Sequence, residues 1–194
     1  QQSNMLDNSN PIKFVSSGRL LNATKGHSIA LQSFALINNN IKLNSFTYEI
    51  AGTGPDYEML RREAQRLHLT EYVRFLGWLE PSQLCKVYAN SDVLIHPSYI
   101  DPFPVTVLEA MATGLPVLGS NICGSVQDRI QHGINGFIHQ AGNVDELANH
   151  IMQCINKPEK IRIMGAAARQ TAEQWPVSRG VATIKGMVES CLCV

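Results

Sequence analysis

The chain has 194 residues, 44% of them apolar and 16% charged, and its formal net charge is zero. That balance excludes a disordered chain and suits one globular domain with a core large enough to do without disulfides or metal. Lysines and arginines are dispersed, so no basic stripe marks a nucleic-acid partner, and no apolar run approaches the ~18 residues of a membrane span.

The start, 'QQSNMLDNSN', opens on Gln1 and reads as a polar linker or tail over residues 1–11, with one domain over 12–194. It hints at a piece of a longer protein. Short apolar runs then alternate with helical patterns. 'IKFVSSG' (12–18) reads as a strand. Residues 25–39 follow as a helix carrying Ile29, Phe34, Ala35 and Ile37. 'FTYEIAG' (46–52) is β-rich, and 'PDYEMLRREAQRLHL' (55–69) is an amphipathic helix with Met59, Leu60, Ala64 and Leu67 on its apolar face. 'YVRFLG' (72–77) is a strand, 'PSQLCKVYANS' (81–91) a helix opened by Pro81, and 'DVLIHPS' (92–98) a strand. A helix begins near Phe103 or Pro104. 'LPVLGS' (115–120) is a buried strand, 'GSVQDRIQHG' (124–133) a short helix and 'NGFIHQ' (135–140) a last strand. Residues 143–156, 158–174 and 177–190 read as helices that wrap the outside.

This alternation predicts an α/β domain, a Rossmann-like doubly wound parallel sheet of about six strands with helices on both faces. Ligands bind such sheets outside the carboxyl ends of the strands. 'SSGRL', 'AGTGP', 'FLGWL', 'HPSYIDPFP' and 'GSNICGS' all follow strands and are expected along that one edge.

The five cysteines are odd in number and match no zinc spacing. Cys85 and Cys154 fall in helical patterns and read as reduced, buried thiols, which points to a reducing cytoplasm. The six histidines form no ligand cluster in the sequence. 'AGTGPDY' holds Gly52-x-Gly54, but Tyr57 stands where a dinucleotide fingerprint needs its third glycine. A tight turn that lets a ligand approach the backbone is the better reading. No phosphate-loop lysine motif, zinc-protease motif or serine elbow is present.

'SSGRLLNATKGH' sets Arg19 and Lys25 after the first strand, flanked by Gly18 and Gly26. Two solvated cations is the plain reading, but the strand-edge position favours a pair that holds phosphate oxygens. In 'HPSYIDPFPVTVLEAMATGLPVLGS', Pro104 suits the first turn of a helix, which leaves Asp101 in the loop before it and Glu109 more than a turn inside. Glu109 has apolar neighbours, and a buried carboxylate needs a partner. That partner is either a cation such as Arg19 or the hydroxyls of a ligand, and the residues alone leave both open. The free N–H groups near Phe103 to Thr106 form a natural anion site. Together these features describe a sugar–phosphate ligand better than a peptide. His96 and Ser98 end the fourth strand at the same edge, and Trp78 either borders a flat ring or packs.

The run of segments 'SSGRL…KG', 'AGTGPDYEML', 'VRFLGWL', 'LCKVYANSDVLIHPSYIDPFPVTVLEAMATGLPVLGS', 'CGSVQDRIQHGINGFI' and 'NVDELA' resembles, in order, the C-terminal, donor-binding half of retaining GT-B glycosyltransferases. These are the large group 1, family 4 type, which includes bacterial mannosyltransferases and sucrose synthases. The resemblance runs from about Lys13 to Glu189. It implies transfer of a sugar from a UDP-, GDP- or ADP-linked donor with retained configuration and without a metal, in polysaccharide or lipopolysaccharide synthesis. It implies that an N-terminal acceptor domain precedes the chain, with the longer protein cytoplasmic or peripheral to the inner membrane. The family's E-x7-E pair falls on Asp101, which would contact the donor sugar, and Glu109, which would bind the ribose. Arg19 and Lys25 would hold the diphosphate, and with Asp101 they would carry the catalytic work. Gly18, Gly52 and Gly54 would line the donor site. Backbone groups of Phe103, Pro104 and Val105 would assist at the phosphate and sugar, and those of Leu76 and Gly77 would border the base. The family's E-G-F-G is 'DPFP' here, with a shorter acid and one N–H fewer at Pro104, and its P-E pair is Gln127 and Asp128. A GT-B nucleotide-sugar epimerase and a non-catalytic nucleotide-binding domain are the rival readings.

Overall fold

The structure is a computed structural model that describes residues 10–38 and 45–176, together with 178, 179, 181, 182 and 185. Six strands form one parallel sheet: β1 (Ile12–Ser17), β2 (Phe46–Ala51), β3 (Val73–Gly77), β4 (Val93–His96), β5 (Val117–Ser120) and β6 (Gly136–His139). Their spatial order is β3-β2-β1-β4-β5-β6, as expected of a doubly wound sheet. Between and after them run α1 (Asn22–Lys25), α2 (His27–Asn38), α3 (Tyr57–Arg66), α4 (Pro81–Ala89), α5 (Val105–Ala112), α6 (Gly124–Arg129), α7 (Val144–Asn156) and α8 (Pro158–Glu173).

Alternate side chains of each strand face opposite sides. Phe14 enters a core with Phe34, Phe46, Tyr48, Leu60 and Ile151, beneath α2, α3 and α7. Val15, its neighbour, enters a second core with Leu94, Val107, Met111 and Val117, beneath α4, α5 and α6. Both faces are therefore buried, which explains why the strands read as nearly unbroken apolar runs. The Phe34 ring stacks on Phe46 at 4.6 Å and meets Phe14 edge-on at 5.2 Å, so α2 is tied to the first two strands by aromatic contact.

The helix expected over 25–39 is α2, which starts two residues later, after the short α1. Gly26 adopts φ 64°, ends α1 and lets α2 start afresh. Met59, placed on the apolar face of α3 by periodicity, is exposed, whereas Leu60 and Ala64 are buried. The expected helix at 177–190 lies largely outside the described residues. Among the described residues no helix is long and apolar enough to cross a membrane.

The chain runs outward in opposite directions from the centre of the sheet, where β1 lies between β2 and β4. At that reversal the loops after β1 and β4 diverge and leave a crevice at the carboxyl edge.

Candidate functional site

Three loops are stitched side by side at this edge. Gly18 N donates to Ala51 O at 3.0 Å, Leu20 N to Thr53 O at 2.9 Å, and Gly52 N to Gly77 O at 2.7 Å. A Cβ on Gly52 would meet Gly18 O at 1.9 Å, and one on Gly54 would meet Leu20 O at 2.3 Å. These glycines are thus required by the crossing of two backbones. The first loop fills their Cβ side, and both glycines also line the cleft described next.

Above the stitched loops opens a cleft of about 920 Å³. Gly18, Arg19, Gly52 and Gly54 line one side, Glu109 and Thr106 of α5 another, and Trp78, Leu84, Cys85 and Tyr88 a third. Arg19 is exposed, and among the described residues it makes no ion pair. Its guanidinium is free to meet an anion. The Thr106 hydroxyl is shielded and unpartnered among the described residues, on the first turn of α5.

Glu109 corrects an expectation. It is exposed on the cleft side of α5 and not buried among its apolar neighbours. Val107, Ala110 and Met111 form the buried face, and the helical period turns Glu109 away from them. Among the described residues its partner is the Tyr88 hydroxyl at 3.5 Å, and the suggested salt bridge to Arg19 is not formed.

Asp101 and Lys25 lie beside the cleft and are bound to each other, Nζ to Oδ2 at 2.5 Å. The geometry follows from α1: its Thr24 carbonyl accepts from Tyr99 N at 2.8 Å and Ile100 N at 3.1 Å, which docks Lys25 against the loop after β4. His96, at the end of β4, approaches the same Oδ2 at 3.2 Å and Ser98 Oγ at 3.1 Å. Asp101 is held below the usual carboxylate range, chiefly by the His96 hydrogen bond and next by Lys25, against the opposing effect of burial. His27 lies deeper. Burial, with His96 adding, pushes it down to about 4, so it is neutral near pH 7.

The proline-bracketed loop is pinned from the other side. Gly124 N donates to Pro102 O at 3.1 Å, and Ser125 Oγ to Pro104 O at 2.9 Å. Pro104 is the residue capping α5, one position before the first turn where it was expected. Phe103 and Val105 are exposed and Pro104 is buried, and these three residues do not line the cleft. Nor do Leu76 and Gly77, because the wall continues one residue further, at Trp78 and Leu79. Cys85 is exposed and faces the cleft, contrary to the buried thiol expected, while Cys154 is buried as expected.

A family model described as glycosyl transferases group 1 matches residues 2–171. The chain belongs to this family. An uncharacterized glycosyltransferase of Haemophilus influenzae is 27% identical over 147 residues, 76% of this chain and 41% of the relative. The N-acetyl-alpha-D-glucosaminyl L-malate synthase of Bacillus anthracis is 29% identical over 141 residues, 73% of this chain and 35% of that protein. Among solved structures, Anabaena HepE in complex with UDP-glucose superposes with a TM-score of 0.82 and 28% identity, over 93% of this chain and 49% of HepE. The chain spans less than half the length of each of these proteins.

For a group 1 glycosyl transferase domain, the sequence identified the loops of the cleft, missed Tyr88, and named Thr106 and His96 without the roles their side chains take. Tyr88 reads as core, and its Leu84–Tyr88 spacing gives no sign of a hydroxyl at the cleft wall. Thr106 was named only as the end of a backbone anion site. His96 was read as a lone histidine, and its contact with Asp101 depends on a loop that returns over the strand end. Among the described residues, no group of three or more His, Cys, Asp or Glu could hold a metal ion.

Proposed function

We propose that this domain binds a nucleoside diphosphate sugar in the cleft and serves as the donor half of a glycosyltransferase that retains anomeric configuration. The observation that carries the reading is the unpaired Arg19 and the open Glu109 carboxylate facing one another's cleft at the carboxyl edge of the sheet. The likeness to HepE, whose structure holds UDP-glucose, supports a uridine donor.

In this reading Arg19 takes the diphosphate and Glu109 accepts hydrogen bonds from the ribose hydroxyls. Gly18, Gly52 and Gly54 form the floor, and the base lies toward Trp78 and the backbone beyond Leu76 and Gly77. Asp101 faces the donor sugar, with Phe103, Pro104 and Val105 at the rim. As the bond between the anomeric carbon and the diphosphate breaks, its electron pair leaves with the diphosphate. Arg19, Lys25 and the N–H groups opening α5 oppose the growing negative charge. These fixed charges supply the counter-charge without a metal ion. The acceptor hydroxyl oxygen bonds to the same face of the sugar as its proton passes to an oxygen of the departing diphosphate, and the acceptor is held by a further domain. Assembly of polysaccharide or lipopolysaccharide is the context the family resemblance favours.

A thermal-shift panel with UDP, GDP and ADP tests the reading. A nucleotide at ~100 times its dissociation constant stabilises by roughly 2.7 kcal/mol. That corresponds to a rise of about 5–10 °C for a chain of this size. Absence of a shift with every nucleoside diphosphate would remove the reading.

A further inference from the structure

The Tyr88 ring is 2% exposed and packs in the core beneath α4, but its hydroxyl reaches the cleft wall. There it meets Ser17 Oγ at 2.6 Å and Glu109 Oε2 at 3.5 Å. A carboxylate only accepts, so Tyr88 donates in the second contact. Its phenolic oxygen is left to accept from the Ser17 hydroxyl. The groups therefore run in one direction, Ser17 to Tyr88 to Glu109, and each polarises the next. Burial pushes the Tyr88 phenol up to about 12, against the Ser17 hydrogen bond and with the Glu109 charge adding, so it stays a donor across neutral pH.

Ser17 ends β1 just before Gly18 and Arg19, whereas Glu109 stands on α5. Tyr88 thus joins the side of the cleft that carries the free cation to the side that carries the open carboxylate. Among the described residues Glu109 has no cation to fix it, and a glutamate side chain left free loses rotamer freedom when a ligand orders it.

We propose that Tyr88 is a positioning residue that sets the Glu109 carboxylate to read ribose hydroxyls, and so governs selection of ribonucleotides over 2′-deoxyribonucleotides. The inference rests on the nucleotide reading above. Tyr88 needs no contact with the ligand to act in this way.

Calorimetric titration of the chain with UDP, GDP and ADP, each beside its 2′-deoxy form, provides the test. Wild type, Tyr88→Phe, Ser17→Ala, Glu109→Gln and the Tyr88→Phe/Glu109→Gln pair are compared. Wild type prefers the ribose form of the base it accepts. Tyr88→Phe keeps the ring and lowers that preference about three- to tenfold. Its affinity for the 2′-deoxy form stays within about twofold, since that form offers the carboxylate one hydroxyl fewer. In the Glu109→Gln background the same change alters the preference no further. Ser17→Ala, which leaves the tyrosine in place, lowers the preference by a smaller factor.

A preference that survives both Tyr88→Phe and Ser17→Ala, with only stability reduced, makes Tyr88 a pin between α4 and β1 and overturns the proposal. A wild type that binds a nucleoside diphosphate without preferring ribose overturns the role given to Glu109 and this inference with it. A wild type that binds none of the six nucleotides overturns the nucleotide reading itself.

Discussion

His27→Leu separates burial from titration. His27 opens α2, is 2% exposed, and neither ring nitrogen has a hydrogen-bond partner among the described residues. The nearby Arg19 backbone opposes the pKa shift without reaching hydrogen-bond geometry, while burial and the neighbouring His96 and Lys25 lower it, to about 4. The unfolded chain has the ordinary value of 6.5. Between these values the unfolded chain binds a proton that the folded chain refuses. Stability contributed by neutral His27 is therefore complete above the unfolded value and is lost as pH falls toward the folded one. Going from about pH 7 to about pH 5, this group withdraws about 2 kcal/mol. Leucine has similar bulk, carries no proton and leaves no orphaned polar atom. Urea unfolding of both proteins at the two pH values reads the difference. His27→Leu is expected near wild-type stability at the higher pH and about 2 kcal/mol more stable than wild type at the lower. Burial holds His139 and His150 low as well, but both are present in each protein and cancel. Parallel pH profiles for the two proteins would refute the reasoning.

Arg19→Ala is expected to change stability by less than about 0.5 kcal/mol, because the side chain is exposed and without an ion pair, but to weaken UDP binding by about tenfold or more. Unfolding and calorimetry on the same preparation read both, and unchanged affinity contradicts the assignment. Asp101→Asn removes the charge facing Lys25 and His96 and is expected to cost about 1–3 kcal/mol near neutral pH. Because the Asp101 pKa is depressed, that contribution is present above the unfolded carboxylate value and fades as pH falls through the folded one, so variant and wild type converge in acid. An undiminished gap in acid counts against it. Cys85 should react with an alkylating reagent faster than buried Cys123 and Cys154, and UDP should slow it, since it lines the cleft. Mass spectrometry of the labelled peptides checks this, and equal rates for Cys85 and Cys154 would contradict it.

The sheet was legible because both faces of it are buried. A strand such as 'DVLIHPS' cannot alternate with polar residues when Leu94 faces one core and Ile95 the other. The loops at the carboxyl edge were legible for the same reason, since strand–helix alternation places every strand-to-helix turn at one end. The contacts among those loops were not. Lys25 and Asp101 are 76 residues apart, and the family resemblance set Lys25 at the diphosphate and Asp101 at the donor sugar without showing that each meets the other. The exchange is physical: a cation beside an anionic ligand and a carboxylate beside a sugar are themselves opposite charges within reach. Charges set that close pair with each other.

Glu109 shows where local reading misled. 'VTVLEAMA' looks uniformly apolar, so its one acid looked buried and in need of a cation. At the helical period Val107, Ala110 and Met111 gather on one side, and Val105, Glu109 and Ala112 fall on the other, where all three are exposed. An outward face of valine and alanine disguises a helix as buried all round. Of that face, Glu109 and Ala112 line the cleft and Val105 does not. The same apolar surroundings that suggested a hidden salt bridge therefore make Glu109 the lone carboxylate of α5, held by one tyrosine hydroxyl, where a polar ligand is expected to enter. For α5, the test that distinguishes the two states is angular position about the helix axis, not the character of the sequence neighbours.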